Sequence, residues 1–161
     1  MNPIISLLEK MSFIGQFPAH LDVKNRVFLP AGFRRILQQS GSQNLVVRKD
    51  YFEDCLVLYP EQRWQEEIAK VRSRLNRFDE AQQMVYRKLV SEAQELQPDS
   101  NGRILLPKSL LDRAGIEQEV LFVGMEQTIE IWSAKRAAAD GGQAFMSDAD
   151  FADRLKNFMT E

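Results

Sequence analysis

The chain is poor in the residues that bind metals, bridge chains or attack substrates. It has one cysteine, Cys55, and one histidine, His20, in 161 residues. A lone cysteine cannot form an internal disulfide, and a Cys/His zinc site within one subunit needs more ligands than this. Nucleophilic catalysis is equally short of parts. His20 is the sole imidazole, and Cys55 lies in the apolar strand pattern Cys55-Leu-Val-Leu-Tyr59, where a small core residue is expected. The reading is therefore no enzyme, no cofactor and no metal. Long hydrophobic runs are also missing. Ile4, Ile5, Leu7 and Leu8 are broken by Ser6 and followed by Glu9 and Lys10. That stretch is too short to span a bilayer and lacks the basic start of a signal peptide. A reduced, cytoplasmic protein without a membrane partner is expected.

What is present is an ordinary globular balance, 44% hydrophobic and 27% charged, with a net charge of −2. The sum hides an asymmetry. Residues 10–49 carry seven bases (Lys10, Lys24, Arg26, Arg34, Arg35, Arg48 and Lys49) against Asp22 alone, a net of +6. Residues 137–161 carry Arg154 and Lys156 against five acids, a net of −3. This distribution points to a basic surface with an acidic tail, although a solvated face with clustered charges gives the same count.

An internal repeat sets the organisation. Leu21-Asp-Val-Lys-Asn-Arg-Val-Phe-Leu-Pro30 returns as Pro98-Asp-Ser-Asn-Gly-Arg-Ile-Leu-Leu-Pro107. Asp22 with Asp99, Arg26 with Arg103 and Pro30 with Pro107 all pair at an offset of 77 residues. A short apolar helix pattern follows each copy (Phe33, Ile36, Leu37; Leu110, Leu111, Ala114), with Gly41 and Gly115 as stops. Strand pairs come next: Leu45–Arg48 with Cys55–Tyr59, and Val120–Val123 with Ile129–Trp132. Both copies thus read strand, turn, strand, helix, strand, turn, strand. Units of this size, placed at 16–63 and 93–136, cannot each bury an adequate core, so the two must share one.

Residues 64–92 read as connecting helices. Trp64, Ile68, Val71, Leu75 and Phe78 form an amphipathic stripe whose plain reading is core packing. Asp79 with Gln82 marks a second helix start, with Met84, Val85 and Leu89 facing inward. Residues 1–12 stand apart as an N-terminal extension, and 137–161 as an acidic linker and C-terminal helix. That helix is capped by Ser147 and carries Phe151, Leu155 and Phe158, which need an apolar surface on their own or a neighbouring subunit.

In the repeated Asp-x-x-x-Arg turn, Asn25 and Gly102 precede the arginine and tolerate positive φ. The aspartate can accept backbone N–H bonds across the turn, while the arginine either folds back on it or projects its fork of donors. A structural ion pair repeated with the fold and a binding role both fit this spacing. Around the first copy, Lys24, Arg34, Arg35, Arg48 and Lys49 add bases suited to phosphates. Around the second, Arg103 and Lys108 are offset by Asp112, Glu117 and Glu119.

At these residues the chain resembles the MraZ family. Phe13-Ile-Gly15, Leu21–Arg26, Leu29-Pro30, Cys55–Pro60 and Trp64 are similar to its first half. Arg87, Ala93, Asp99–Arg103, Val123-Gly124 and Ile129–Trp132 are similar to its second. The resemblance implies an α+β fold: a duplicated swapped-hairpin (AbrB/SpoVT-like) β-barrel with connecting helices, self-associated into a ring of subunits. It implies a sequence-specific transcriptional regulator of the bacterial division and cell-wall gene cluster, nucleoid-associated, binding double-stranded DNA at repeated upstream boxes. The family's contact maps onto Asp22, Lys24 and Arg26. The expected DNA-binding set adds Arg34 and Arg35 by charge, and Asp99 and Arg103 by repetition. The chain departs from the family pattern at Asn25, which replaces the usual glycine, and at Gln83 and Met84, which replace basic residues ahead of Arg87. Its first ten residues extend beyond the usual start, with Met11 as an alternative initiator. A structural ring that binds a protein partner is the rival expectation, since the amphipathic faces would serve it equally.

Overall fold

In a computed structural model describing residues 11–138 and 144–160, the strands and helices alternate twice in the same order. β1 (Gln16–His20), β2 (Arg26–Phe28), α1 (Ala31–Gln39), β3 (Leu45–Lys49) and β4 (Cys55–Pro60) make the first copy. Two connecting helices follow, α2 (Glu61–Arg74) and α3 (Glu80–Glu92). The second copy is β5 (Gln94–Leu96), β6 (Arg103–Leu105), α4 (Lys108–Arg113), β7 (Glu119–Gly124) and β8 (Ile129–Ser133). α5 (Ala134–Ala137) and α6 (Asp148–Met159) come last. The expected extension at 1–10 and the 139–143 part of the expected linker lie outside the described residues.

Local chemistry accounts for the boundaries. Pro30 and Pro107 hold extended backbone immediately before α1 and α4. Gly41 and Gly115 then take the left-handed conformation, at φ 85° and 67°, that lets the chain leave each helix. α3 starts where the Asp79 side chain accepts the Gln82 N–H at 3.0 Å, and α6 where Ser147 accepts that of Asp150 at 3.2 Å.

The two copies exchange strands. β1 pairs antiparallel with β7 of the second copy, and β5 pairs with β3 of the first. β4 and β8 join at the seam, giving a six-stranded sheet ordered β1-β7-β8-β4-β3-β5. β2 and β6 form a separate two-stranded ribbon. A single core results, with Val27, Leu29, Phe33, Leu37, Val47 and Leu58 packed together with Ile104, Leu106, Leu110, Val120, Phe122 and Ile131.

Three expectations about side-chain placement need correction. The α2 stripe stops at Val71: Leu75 is already extended, and Phe78 lies 86% exposed in the loop. Met84 and Val85 are each 61% exposed rather than inward, because α3 turns Gln82, Tyr86 and Leu89 toward the rest of the chain. Arg48 is buried on the sheet face under the connecting helices, so it adds nothing to a basic surface.

Phe13 is wholly buried and bridges Glu126 in both directions, at 2.8 and 2.9 Å. Gly124 makes this approach possible, since a Cβ there would lie 2.4 Å from the Phe13 carbonyl oxygen. Gly124→Ala should therefore cost about 1–3 kcal/mol in urea unfolding. Gly32→Ala, in α1 with open space around it, should add about 0.5–1 kcal/mol. The opposite order of midpoints would refute this packing.

Candidate nucleic-acid interface

The two Asp-x-x-x-Arg turns have matching bonds. In the first, Asp22 Oδ1 accepts the N–H groups of Lys24 and Arg26, each at 2.9 Å, and Oδ2 accepts Arg26 Nε at 2.7 Å. In the second, Asp99 Oδ1 accepts those of Asn101 and Arg103, each at 2.9 Å, and Oδ2 accepts Arg103 Nε at 2.9 Å. The reversal is closed by Asn25 and Gly102, at φ 64° and 82°. Each arginine thus folds back through Nε alone, and among the described residues its terminal nitrogens take no hydrogen bond. The backbone N–H of Arg26 holds the Asp22 carboxyl below its ordinary range, with the Arg26 side chain helping; Asp99 is lowered in the same way by Arg103.

Strand exchange brings the turns together on one ribbon. Arg26 lies opposite Leu105, and Phe28 opposite Arg103, with Val27 and Ile104 buried between them. Alternation therefore places both arginines, Phe28 and Leu105 on the outward face. Arg26 and Arg103 are diagonal neighbours, a relation that sets residues about 7–8 Å apart. The Arg103 guanidinium also stands 5.9 Å from the Phe28 ring centre. Two bonds related by the repeat lock the ribbon ends: Leu106 N–H donates to the Asn25 carbonyl at 2.9 Å, and Leu29 N–H to that of Gly102 at 3.1 Å. Lys24 is exposed beside Arg26.

The remaining bases divide. Arg34 reaches from α1 to the second turn, where its Nη1 donates to the Asn101 carbonyl at 3.3 Å and its side chain lies over Gly102. Sequence reasoning assigned it to the first copy's patch. The crossing follows from the strand exchange, which no local spacing reveals. Arg35 is exposed on α1, and Lys49 pairs with Asp54 at 3.6 Å.

Asp50, Cys55 and Glu130 bring ligand-type atoms within 4.8 Å of one another. Burial pushes the Cys55 thiol far up and raises Glu130, so both retain protons that a cation would have to displace. The Asp50 carboxylate is also occupied by the Phe52 and Glu53 N–H groups, at 3.0 and 2.9 Å.

Comparison with known proteins gives a consistent answer. A family described as "MraZ protein, putative antitoxin-like" matches residues 12–88 and 89–137. A protein of Bacteroides thetaiotaomicron named transcriptional regulator MraZ is 43% identical over 149 residues, covering 92% of this chain and 93% of its own length. Its namesake in Bacteroides fragilis is 44% identical over 149 residues, covering 92% of each. That of Shewanella frigidimarina is 31% identical over 150 residues, covering 91% of this chain and 98% of its own.

The lowered carboxyls make the turns acid-sensitive. A depressed folded-state pKa means stabilisation that is complete above the ordinary value of 3.8 and lost as pH falls through the lower folded one. In an NMR titration, the Lys24, Arg26, Asn101 and Arg103 amide shifts should change with midpoints below 3.8. Midpoints at or above that value would show that the carboxylates do not brace the turns.

Proposed function

The chain belongs to the MraZ family of transcriptional regulators, and from that premise we propose that it binds double-stranded DNA sequence-specifically through the β2–β6 ribbon. The observation that carries this reading is the pair of aspartate-braced arginines on one outward ribbon face. A two-stranded ribbon fits the major groove, where an arginine fork reads guanine O6 and N7. A separation of about 7–8 Å corresponds to roughly two base-pair steps of 3.4 Å. The proposed roles are base contact for Arg26 and Arg103, orientation for Asp22 and Asp99, and phosphate neutralisation for Lys24, Arg34 and Arg35.

The rest of the proposal concerns assembly and setting. The exchanged strands support a swapped-hairpin barrel of units 16–63 and 93–136, with several copies joined in a ring. Such a ring would act in the cytoplasm, on the nucleoid, at repeated boxes upstream of the division and cell-wall gene cluster. No helix among the described residues is long and apolar enough to cross a membrane. The family is one of regulators rather than enzymes. Exposed Phe151, Leu155 and Phe158 on α6 favour an apolar docking partner as well, which a ring of copies supplies. A purely structural ring would retain a protein partner independently of salt, whereas DNA retention must weaken as salt rises.

Arg26→Ala should weaken binding to the upstream DNA by about 1–3 kcal/mol per site, with assembly unchanged. Arg103→Ala should cost less, since Lys24 stands beside Arg26 while Lys108 near the second turn pairs with Asp112 at 3.2 Å. Equal losses, or a collapsed oligomer in Arg26→Ala, would make the turn structural. Asp22→Asn should also weaken binding although it removes a negative charge; tighter binding at every salt concentration would refute the orienting role.

Box phasing tests the ring. Identical ribbons acting together should raise avidity by about 10²–10⁴-fold over a single box. Inserting half a helical turn between boxes should abolish most of that gain, while a full turn of about 10 base pairs should cost less. Equal affinity for one box and for phased repeats, in gel-shift titrations at fixed salt, would exclude multivalent binding.

A further inference from the structure

Among the described residues, Arg48 is the one charged side chain in the buried class, at 5% exposure. It shares the face of β3 with Val46, opposite Val57 of β4 and close to Tyr59, on the side covered by the connecting helices. Its Nη2 donates to the Tyr59 hydroxyl, and its Nη1 to the Lys49 carbonyl at 2.8 Å. The guanidinium carbon lies 3.7 Å from the Tyr51 ring centre, and Nε has no hydrogen-bond partner. Every one of these contacts is neutral. An arginine does not shed its proton, so a buried one without a counter-charge carries an uncompensated desolvation penalty.

A cavity of about 460 Å³ opens onto this group. Val71 of α2, Val85 and Leu89 of α3, and the Tyr51 ring supply its apolar lining. The other charged groups around it already have partners. Lys49 pairs with Asp54 at 3.6 Å, while Lys88 and Arg113 share Glu92 at 3.0 and 3.1 Å. Asp50 is held by backbone N–H groups, and Glu67 accepts from the Tyr51 hydroxyl at 3.2 Å rather than from the guanidinium. One unbalanced positive charge therefore faces an apolar chamber whose size suits a small ligand.

We propose that this cavity binds a small amphipathic anion, a carboxylate or phosphate ester on a flat or aliphatic body. The anionic oxygens would take the Arg48 Nε donor, and the body would lie against Tyr51, Val71, Val85 and Leu89. A bare inorganic anion leaves the apolar walls unused, and a neutral body leaves Arg48 uncompensated. Both parts are needed. The site is built from β3, the connecting helices and α4, apart from the ribbon, so it stands or falls independently of the DNA-binding proposal.

Calorimetric titration of the full chain tests this with four probes. Phenyl phosphate and 3-phenylpropionate carry both features, benzyl alcohol lacks the charge, and inorganic phosphate lacks the body. One of the two amphipathic anions should saturate one site per chain, and the stronger of them identifies the head group. Benzyl alcohol and inorganic phosphate should bind at least tenfold more weakly. Arg48→Met should weaken binding at least tenfold. So should Val85→Trp, which fills the chamber from a half-exposed position and leaves Arg48 in place, carrying the test if Arg48→Met fails to fold. Arg35→Ala, on exposed α1, should change nothing. Absence of saturable binding by either anion, or binding that survives Val85→Trp, would overturn the proposal. So would a wild-type chain that binds neither anion while Val85→Trp changes the sedimenting subunit number, because the chamber would then be covered by a second copy.

Discussion

The exchange of first strands between the two copies is the constraint on which the rest depends. A unit of under 50 residues cannot bury enough apolar surface to offset the ordering of its backbone. Placing β1 on β7 and β5 on β3 commits each copy to the other's sheet. The shared core then takes Val27 and Leu29 from one copy beside Ile104 and Leu106 from the other. The arrangement is self-complementary in the manner of a twofold dimer interface. The bonds Leu106 to Asn25 and Leu29 to Gly102 are the same bond made twice, 77 residues apart in both donor and acceptor.

The ribbon is a product of that exchange. Neither β2 nor β6 has a partner within its own copy; each pairs only with the other. The exchange therefore decides which side chains share the outward face, and it sets Arg26 diagonally from Arg103. Asp22 and Asp99 then fix Nε, leaving each terminal pair of nitrogens to face outward from a braced turn. Orienting the fork in advance lowers the conformational cost of any contact it makes. It also explains why an acid can stand inside a basic segment: its charge is spent on two backbone N–H groups and one Nε.

Much of this was legible from short-range pattern. The repeat, the positive-φ positions Asn25 and Gly102, the glycine stops at 41 and 115, and the caps at Asp79 and Ser147 are local features, and local features survive into the fold unchanged. Faces were less legible. Hydrophobic spacing marks a stripe on α3 without saying which part of it meets a neighbour, so Met84 and Val85 remain outside in the single chain. Contacts created by the exchange could not be read at all. Arg34 belongs by sequence to the first turn and by structure to the second, 67 residues away.

The charge count shows the same limit most clearly. Seven bases between residues 10 and 49 read as one basic surface. Lys10 lies outside the described residues, Arg48 is sealed beneath the connecting helices, and Lys49 is paired with Asp54. Lys24, Arg26, Arg34 and Arg35 are left, and the structure spreads them over both turns and α1. Counting charges along the chain treats them as interchangeable, but burial separates a screened surface cation from one whose field is felt at short range. Arg48 is on the second side of that division. Its charge is lost to the outer surface and concentrated on the chamber beneath α2 and α3. The residue that weakens the simple electrostatic argument for the ribbon is therefore the one that gives the opposite side of the sheet a chemistry of its own.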